Sequence, residues 1–249
     1  MKQYLKPKFL PYVTLALGVL AFLCGLWLHG SGEDERMLLN PTHPSAILLW
    51  ILSAVMIAAA LLLTRPLGGK MRYEKAFPAS VPAAVGTVLC AAAIAITAFG
   101  ELTSKTDAVT TAAGVVGMLA AVALGYLAWC RFAQLRPHFL TLGVVLAYLM
   151  MHMLCRYRVW SAEPELLRYF FALAATVLLT LAMYQRLAFS VGMGKRQVFP
   201  ALSMLGAFFA MAAIPGDGDK WFLIGMAAWA MTDLCSLRLR KRRKKTEAA

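Results

Sequence analysis

The sequence predicts an all-α integral membrane protein of eight transmembrane helices, arranged as a 4+4 parallel internal repeat with both termini in the cytoplasm. Three observations carry that expectation. Hydrophobic residues make up 61% of the 249-residue chain and charged residues 15%, against roughly 45–50% and about 25% in soluble domains. The apolar residues fall into long blocks, and mean hydropathy is +0.67. Basic residues collect in alternate loops. These features exclude a soluble domain, a disordered chain and a disulfide-rich miniprotein. At about 20 residues per span, eight spans leave only short loops.

The first span, residues 10–29, follows Lys2, Lys6 and Lys8. Such a start also fits a signal peptide. The run is long, however, lacks a small-x-small cleavage site and precedes further spans, so it reads as an uncleaved helix. The second span, 45–64, is announced by Asn40, Pro41 and Pro44. The third, 79–99, the fifth, 137–155, and the seventh, 199–215, open at or near Pro78, Pro137 and Pro200, where a missing N–H costs little. The fourth, 110–130, carries a small residue at every fourth position, Ala113, Gly117, Ala121 and Gly125. That stripe suits close packing on a neighbouring helix or on another copy of the chain. The sixth span is 166–185, and the turn Pro215-Gly216-Asp217-Gly218 leads to the eighth, 219–237.

Loop charge sets the orientation. The N-terminus, the 65–78, 131–138 and 186–198 loops and the C-terminal tail hold 19 of the 25 Lys and Arg and two acids, Glu74 and Glu247. The alternate loops hold Glu33, Asp34, Glu35, Glu101, Asp107, Glu163, Glu165, Asp217 and Asp219. The positive-inside rule places the basic side in the cytoplasm. The 156–168 loop breaks the pattern with Arg156, Arg158 and Arg168. The net charge of +13 includes the tail from Arg238 to Lys245, which fits anionic lipid headgroups rather than nucleic acid.

The two halves echo each other. The text from Pro11 shares Pro, Val19/Val145, Leu20/Leu146, Ala21/Ala147 and Leu23/Leu149 with the text from Pro137. A Gly-Lys turn followed by Phe77-Pro78-Ala79 recurs as Gly194-Lys195 and Phe199-Pro200-Ala201. The expected organisation is one repeat over 1–136, a second over 137–237 and a basic tail over 238–249. Four spans per half give both halves one orientation and a pseudo-twofold along the membrane normal.

Catalytic signatures are missing: no HExxH, no GxSxG and no Walker lysine. No catalytic residue, metal site or cofactor is assigned. Cys24, Cys90, Cys130, Cys155 and Cys235 form no CxxC pair and read as apolar filler. Met150, Met151 and Met153 flank His152, but consecutive helical residues diverge and make no thioether site. Tyr148, His152 and Arg156 share one face of the fifth span at i, i+4, i+8, and Thr176 and Thr180 share one face of the sixth. With Arg168 at the mouth, these residues outline an outer cleft for a small solute, anionic if the arginine forks hold it. The alternative is an interfacial belt of aromatic and basic side chains, with polar pairs joining the two helices. Asp233 is the single acid inside a span, a weak ion-coupling candidate or a structural partner for Arg131 or Arg238.

The stretch Arg156-Tyr-Arg-Val-Trp-Ser-Ala-Glu-Pro-Glu165 and the Gly-Lys-Arg loop resemble polytopic membrane proteins of anaerobic Gram-positive bacteria. The resemblance implies a bacterial plasma membrane and carries no activity. The functional expectation is a small-solute permease or the membrane subunit of a transport system. The alternatives are a structural or scaffolding partner and, third, a lipid-modifying enzyme.

Overall fold

A computed structural model describes residues 4–5, 9–32, 39–67, 73–104, 107–161, 166–216, 219–237 and 239–240. Among them, eight long helices carry the chain: α1 (Phe9–Ser31), α2 (Pro44–Thr64), α4 (Val81–Thr103), α5 (Ala108–Ala133), α6 (Phe139–Trp160), α7 (Leu166–Ser190), α8 (Val198–Ala213) and α9 (Lys220–Ser236). A single helical turn, α3 (Tyr73–Ala76), precedes α4. Each apolar block of the sequence becomes one helix, and local chemistry marks the ends. Pro44 stands at the start of α2 behind His43, whose Nδ1 accepts from the Ser45 amide. Gln134 closes α5 in the left-handed conformation, with its amide donating to the Cys130 carbonyl.

The chain is thus an all-α polytopic membrane protein. Six helices, α1, α2, α4, α5, α6 and α7, are long and apolar enough to cross a membrane. The other two, α8 and α9, have 16 and 17 residues, so they reach about 24–26 Å against a hydrocarbon core of about 30 Å. Their placement matches their length. Most of α8 is buried, and it packs against α1, α2, α7 and α9, while α9 packs against α4, α8 and α1.

Small residues set the closest approaches, as expected where lipid removes the hydrophobic drive between helices. A Cβ on Gly86 would fall 1.9 Å from Thr232 Oγ1, and one on Gly225 would fall 2.3 Å from the Ala93 Cβ, so α4 and α9 meet almost backbone to backbone. The stripe on α5 serves the same end. Ala113 is buried, and a Cβ on Gly117 would meet Ala98 of α4 and Tyr148 of α6, each at 2.6 Å. Ala121 is half-buried and only Gly125 is exposed. Half of that stripe is therefore covered within the chain, by neighbouring helices and not by a second copy.

The two halves interleave. Under the expected two-fold, the α7–α8 packing would recur between α2 and α4, and the α1–α8 packing between α6 and α4. Instead α2 lies against α1 and α8, and α6 lies mainly against α5 and α7 and reaches α4 through side chains such as His152 with Glu101. The consecutive pairs α1–α2 and α4–α5 do recur as α6–α7 and α8–α9, and the packing as a whole does not establish the duplication. The recurring Phe-Pro-Ala starts do come together, with the Phe77 and Phe199 rings edge to face at 5.3 Å and Phe189 beside both. Near the chain ends, β1 (Tyr4–Leu5) pairs antiparallel with β2 (Leu239–Arg240), so both end segments lie on one side of the bundle.

Candidate functional site

Buried charge gathers in two clusters, one toward each end of the bundle. The first forms where α4, α5 and α6 meet the start of α9. Its centre is His152, which is 1% exposed. Along α6, Tyr148 lies one turn deeper with its ring 5.7 Å from the imidazole, and Phe222 of α9 covers His152 at 4.2 Å. The spacing on α6 therefore works as the sequence suggests: Tyr148 and His152 face the bundle and not lipid.

What the sequence did not reveal is the company His152 keeps. Glu101 in the last turn of α4 places Oε1 2.7 Å from His152 Nδ1, and Asp219, just ahead of α9, places Oδ2 3.4 Å from His152 Nε2. Arg156, one turn above His152, pairs with the same Asp219 oxygen. Glu101, Arg156 and Asp219 line a cleft of about 370 Å³ together with Thr97, Cys155 and Trp221, among others, while His152 and Tyr148 stand behind them outside its lining. The second oxygen of Glu101 is buried without a hydrogen-bond partner. At the rim, Arg158 Nη1 lies 2.6 Å from Asp107 Oδ2. That hydrogen bond and the arginine charge hold the exposed Asp107 carboxyl below its usual range.

Two parts of the sequence expectation change here. The cleft opens on the α4–α5–α9 side of α6, not between α6 and α7. Thr176 and Thr180 lie on α7 and are no part of its lining. Both are buried and donate their hydroxyls to their own helix, Thr176 to the Ala172 carbonyl and Thr180 to the Thr176 carbonyl at 2.7 Å. Such back-bonding satisfies a hydroxyl in an apolar helix without any ligand. The charge at the mouth also runs against an anion. Arg156 is already paired, and two carboxylates, Glu101 and Asp219, face one guanidinium. The side chain of Arg168 and most of the basic tail lie outside the described residues.

The second cluster surrounds Asp233 near the other end. Arg131 of α5 donates from Nη2 to Asp233 Oδ1 at 3.0 Å and to Ser236 Oγ at 2.5 Å, and from Nη1 to the Pro78 carbonyl at 3.0 Å. Arg186 of α7 reaches Asp233 Oδ2 at 2.8 Å. The side chains of Arg131, Arg186 and Asp233 are at most 1% exposed. Aromatic faces complete the enclosure: Phe77 lies 5.1 Å from the Arg131 guanidinium, and Trp229 lies 5.6 Å from that of Arg186. The expected partnership of Asp233 with Arg131 is present, and Arg186 is a partner the sequence had placed in a loop. The ion pairs tie α5, α7 and α9 together; Arg186 faces Asp233 Oδ2 by charge without hydrogen-bond geometry, so that oxygen and the Arg186 guanidinium nitrogens keep unfilled hydrogen-bonding capacity.

Among the described residues no group of three His, Cys, Asp or Glu is arranged to hold a metal ion. Comparison with protein-family models, with curated proteins and with solved structures finds no match.

Proposed function

We propose that this is a small-solute permease, or the membrane subunit of one, whose cleft beside His152 takes a small organic cation. In this reading the chain crosses a bacterial plasma membrane eight times with both termini cytoplasmic. The positive-inside pattern and the pairing of β1 with β2 at one end support that arrangement, and the cleft then faces outward.

One observation carries the choice of ligand. Two carboxylates, Glu101 and Asp219, line the cleft against one guanidinium, that of Arg156. An ammonium group entering the cleft offsets that excess of negative charge, which a partly desolvated site leaves poorly screened. Trp221, at the same wall, offers an aromatic face that favours cations. The volume falls within the range of small-molecule sites.

The enzyme alternative fares worse. His152 is held by Glu101 through Nδ1 and stands outside the lining of the cleft, so it is badly placed to take a proton from a substrate there. The scaffolding alternative loses part of its surface, because Ala113 and Gly117 are covered by α4 and α6.

The test is equilibrium binding of radiolabelled methylammonium to the purified full-length protein, with tetramethylammonium as competitor. The reading expects saturable binding, poor competition by tetramethylammonium, which has no N–H, and loss of binding in Glu101→Gln. No binding by the wild type, or binding unchanged in Glu101→Gln, would overturn it.

A further inference from the structure

A second cleft, of about 490 Å³, lies at the other end of α6 from His152, where the last turns of α5, the start of α6 and the end of α7 come together. Tyr126, Arg136, His138, Phe139, Ser190 and Val191 line it. The lining holds a guanidinium and an imidazole and no carboxylate. Arg136 donates to the Ser190 carbonyl at the end of α7, which fixes the guanidinium at the wall. That bond uses one of the five N–H donors of a guanidinium. His138 accepts from the Leu140 amide through Nδ1, so its neutral ring carries the proton on Nε2 as a further donor. Positive charge and donors without a carboxylate suit an anion.

The surroundings say which anion. Tyr126 sits two turns before the end of α5 at Ala133, about 10 Å along the helix axis, so the cleft reaches from the loop down beside the span. On α5, Leu119, Val122, Tyr126 and Trp129 follow one another at helical spacing and are 46–74% exposed. On α6, Phe139, Leu140 and Val144 are exposed as well. In a membrane-spanning bundle such faces meet acyl chains, and a basic cleft at their end meets headgroups. A zwitterionic headgroup would bring in an ammonium that no carboxylate of the lining receives. We propose that this cleft binds the phosphate of an acidic phospholipid, whose acyl chains lie along the exposed faces of α5 and α6. The site is separate from the cleft beside His152 and from the basic tail, and it does not depend on the permease reading.

Native mass spectrometry of the full-length protein in detergent, titrated with phosphatidylglycerol or phosphatidylcholine, counts each bound lipid and gives its affinity. The wild type should bind its first phosphatidylglycerol about tenfold or more tighter than phosphatidylcholine, the scale of a hydrogen bond to a charged group. Arg136→Gln should erase that preference. Because Arg136 also ties the α5–α6 loop to α7, Val191→Glu supplies an independent reading. Val191 is exposed and lines the cleft, so a carboxylate there should repel the acidic lipid, leave phosphatidylcholine affinity unchanged and disturb no packing. Lys244→Gln/Lys245→Gln, in the basic tail, should keep the wild-type preference. Equal affinities for the two lipids in the wild type overturn the proposal. Retention of the preference in Val191→Glu, or its loss in the tail variant, places the lipid elsewhere and overturns it too. Glycerol 3-phosphate in excess separates the two sources of a phosphate ester: it should fail to displace the lipid, and displacement would show that a soluble phosphate is the ligand and refute the lipid assignment.

Discussion

Removing the carboxylate of Asp233 should be among the most damaging single changes in the chain. Asp233 sits between Arg131 at 3.0 Å and Arg186 at 2.8 Å, with all three side chains at most 1% exposed. At an effective dielectric constant of about 20, each contact is worth roughly 5 kcal/mol of Coulomb attraction, most of which desolvation offsets in the intact protein. In Asp233→Asn the attraction is lost and the desolvation of two guanidiniums remains, so stability should fall by about 3–5 kcal/mol. From sequence alone, a position near the helix end suggests a hydrated pair and a modest loss; enclosure by Phe77, Trp229 and α7 removes that water. The assay is SDS titration of the purified protein in mixed micelles, followed by tryptophan fluorescence. The double variant Asp233→Asn/Arg186→Met has the same net charge at the cluster as the wild type and should recover most of the loss. A single variant within about 1 kcal/mol of wild type, the range for exposed ion pairs, would show that the cluster is not sealed.

Two further outcomes are expected. Gly117→Leu should cost about 1–3 kcal/mol through overpacking and also weaken methylammonium binding, because its Cβ meets Ala98 and the Tyr148 ring that supports His152; the same SDS titration and binding assay check it, and a variant with wild-type values in both would show that α4, α5 and α6 can move apart at this level. For topology, single cysteines at Ser104 and Ser161 should react with an impermeant thiol reagent in intact cells, and one at Val191 should not. These positions are all exposed, whereas Ser190, one residue earlier, is buried and would give a false negative. Labelling at Val191 alone would reverse the orientation.

The helices were legible because apolar runs, prolines and loop charge are local signals. Each of the eight long helices overlaps its predicted span. The pairing of charges was not legible, because its partners are distant in sequence: Arg131 and Asp233 are 102 residues apart and Glu101 and His152 are 51 apart. The sequence did hold a partial clue. Arg131 continues the buried stripe Leu124, Leu127, Ala128, and Arg186 continues Leu179, Ala182, Met183. Asp233 continues Met226, Trp229, Ala230, and Glu101 continues Cys90, Ile94, Ala98. Each charge stands at the next inward position of an apolar helix face. Taken as loop residues they count toward orientation; taken as the last members of a buried stripe they demand a partner.

That distinction bears on how the two clusters divide the work. Both are buried, both join three elements, and both pair acids with bases, yet they differ in what remains available. At Asp233 each carboxylate oxygen has its own guanidinium, and the rings of Phe77, Phe189 and Phe199 pack against one another alongside. A second cation there would meet two arginines. At His152 acids outnumber arginines, one Glu101 oxygen has no donor, and the groups border a space of about 370 Å³. The same physics, the high cost of an unpaired buried charge, therefore acts at both ends: around Asp233 three ionised side chains tie α5, α7 and α9 together, and beside His152 two carboxylates face one guanidinium at an open cleft.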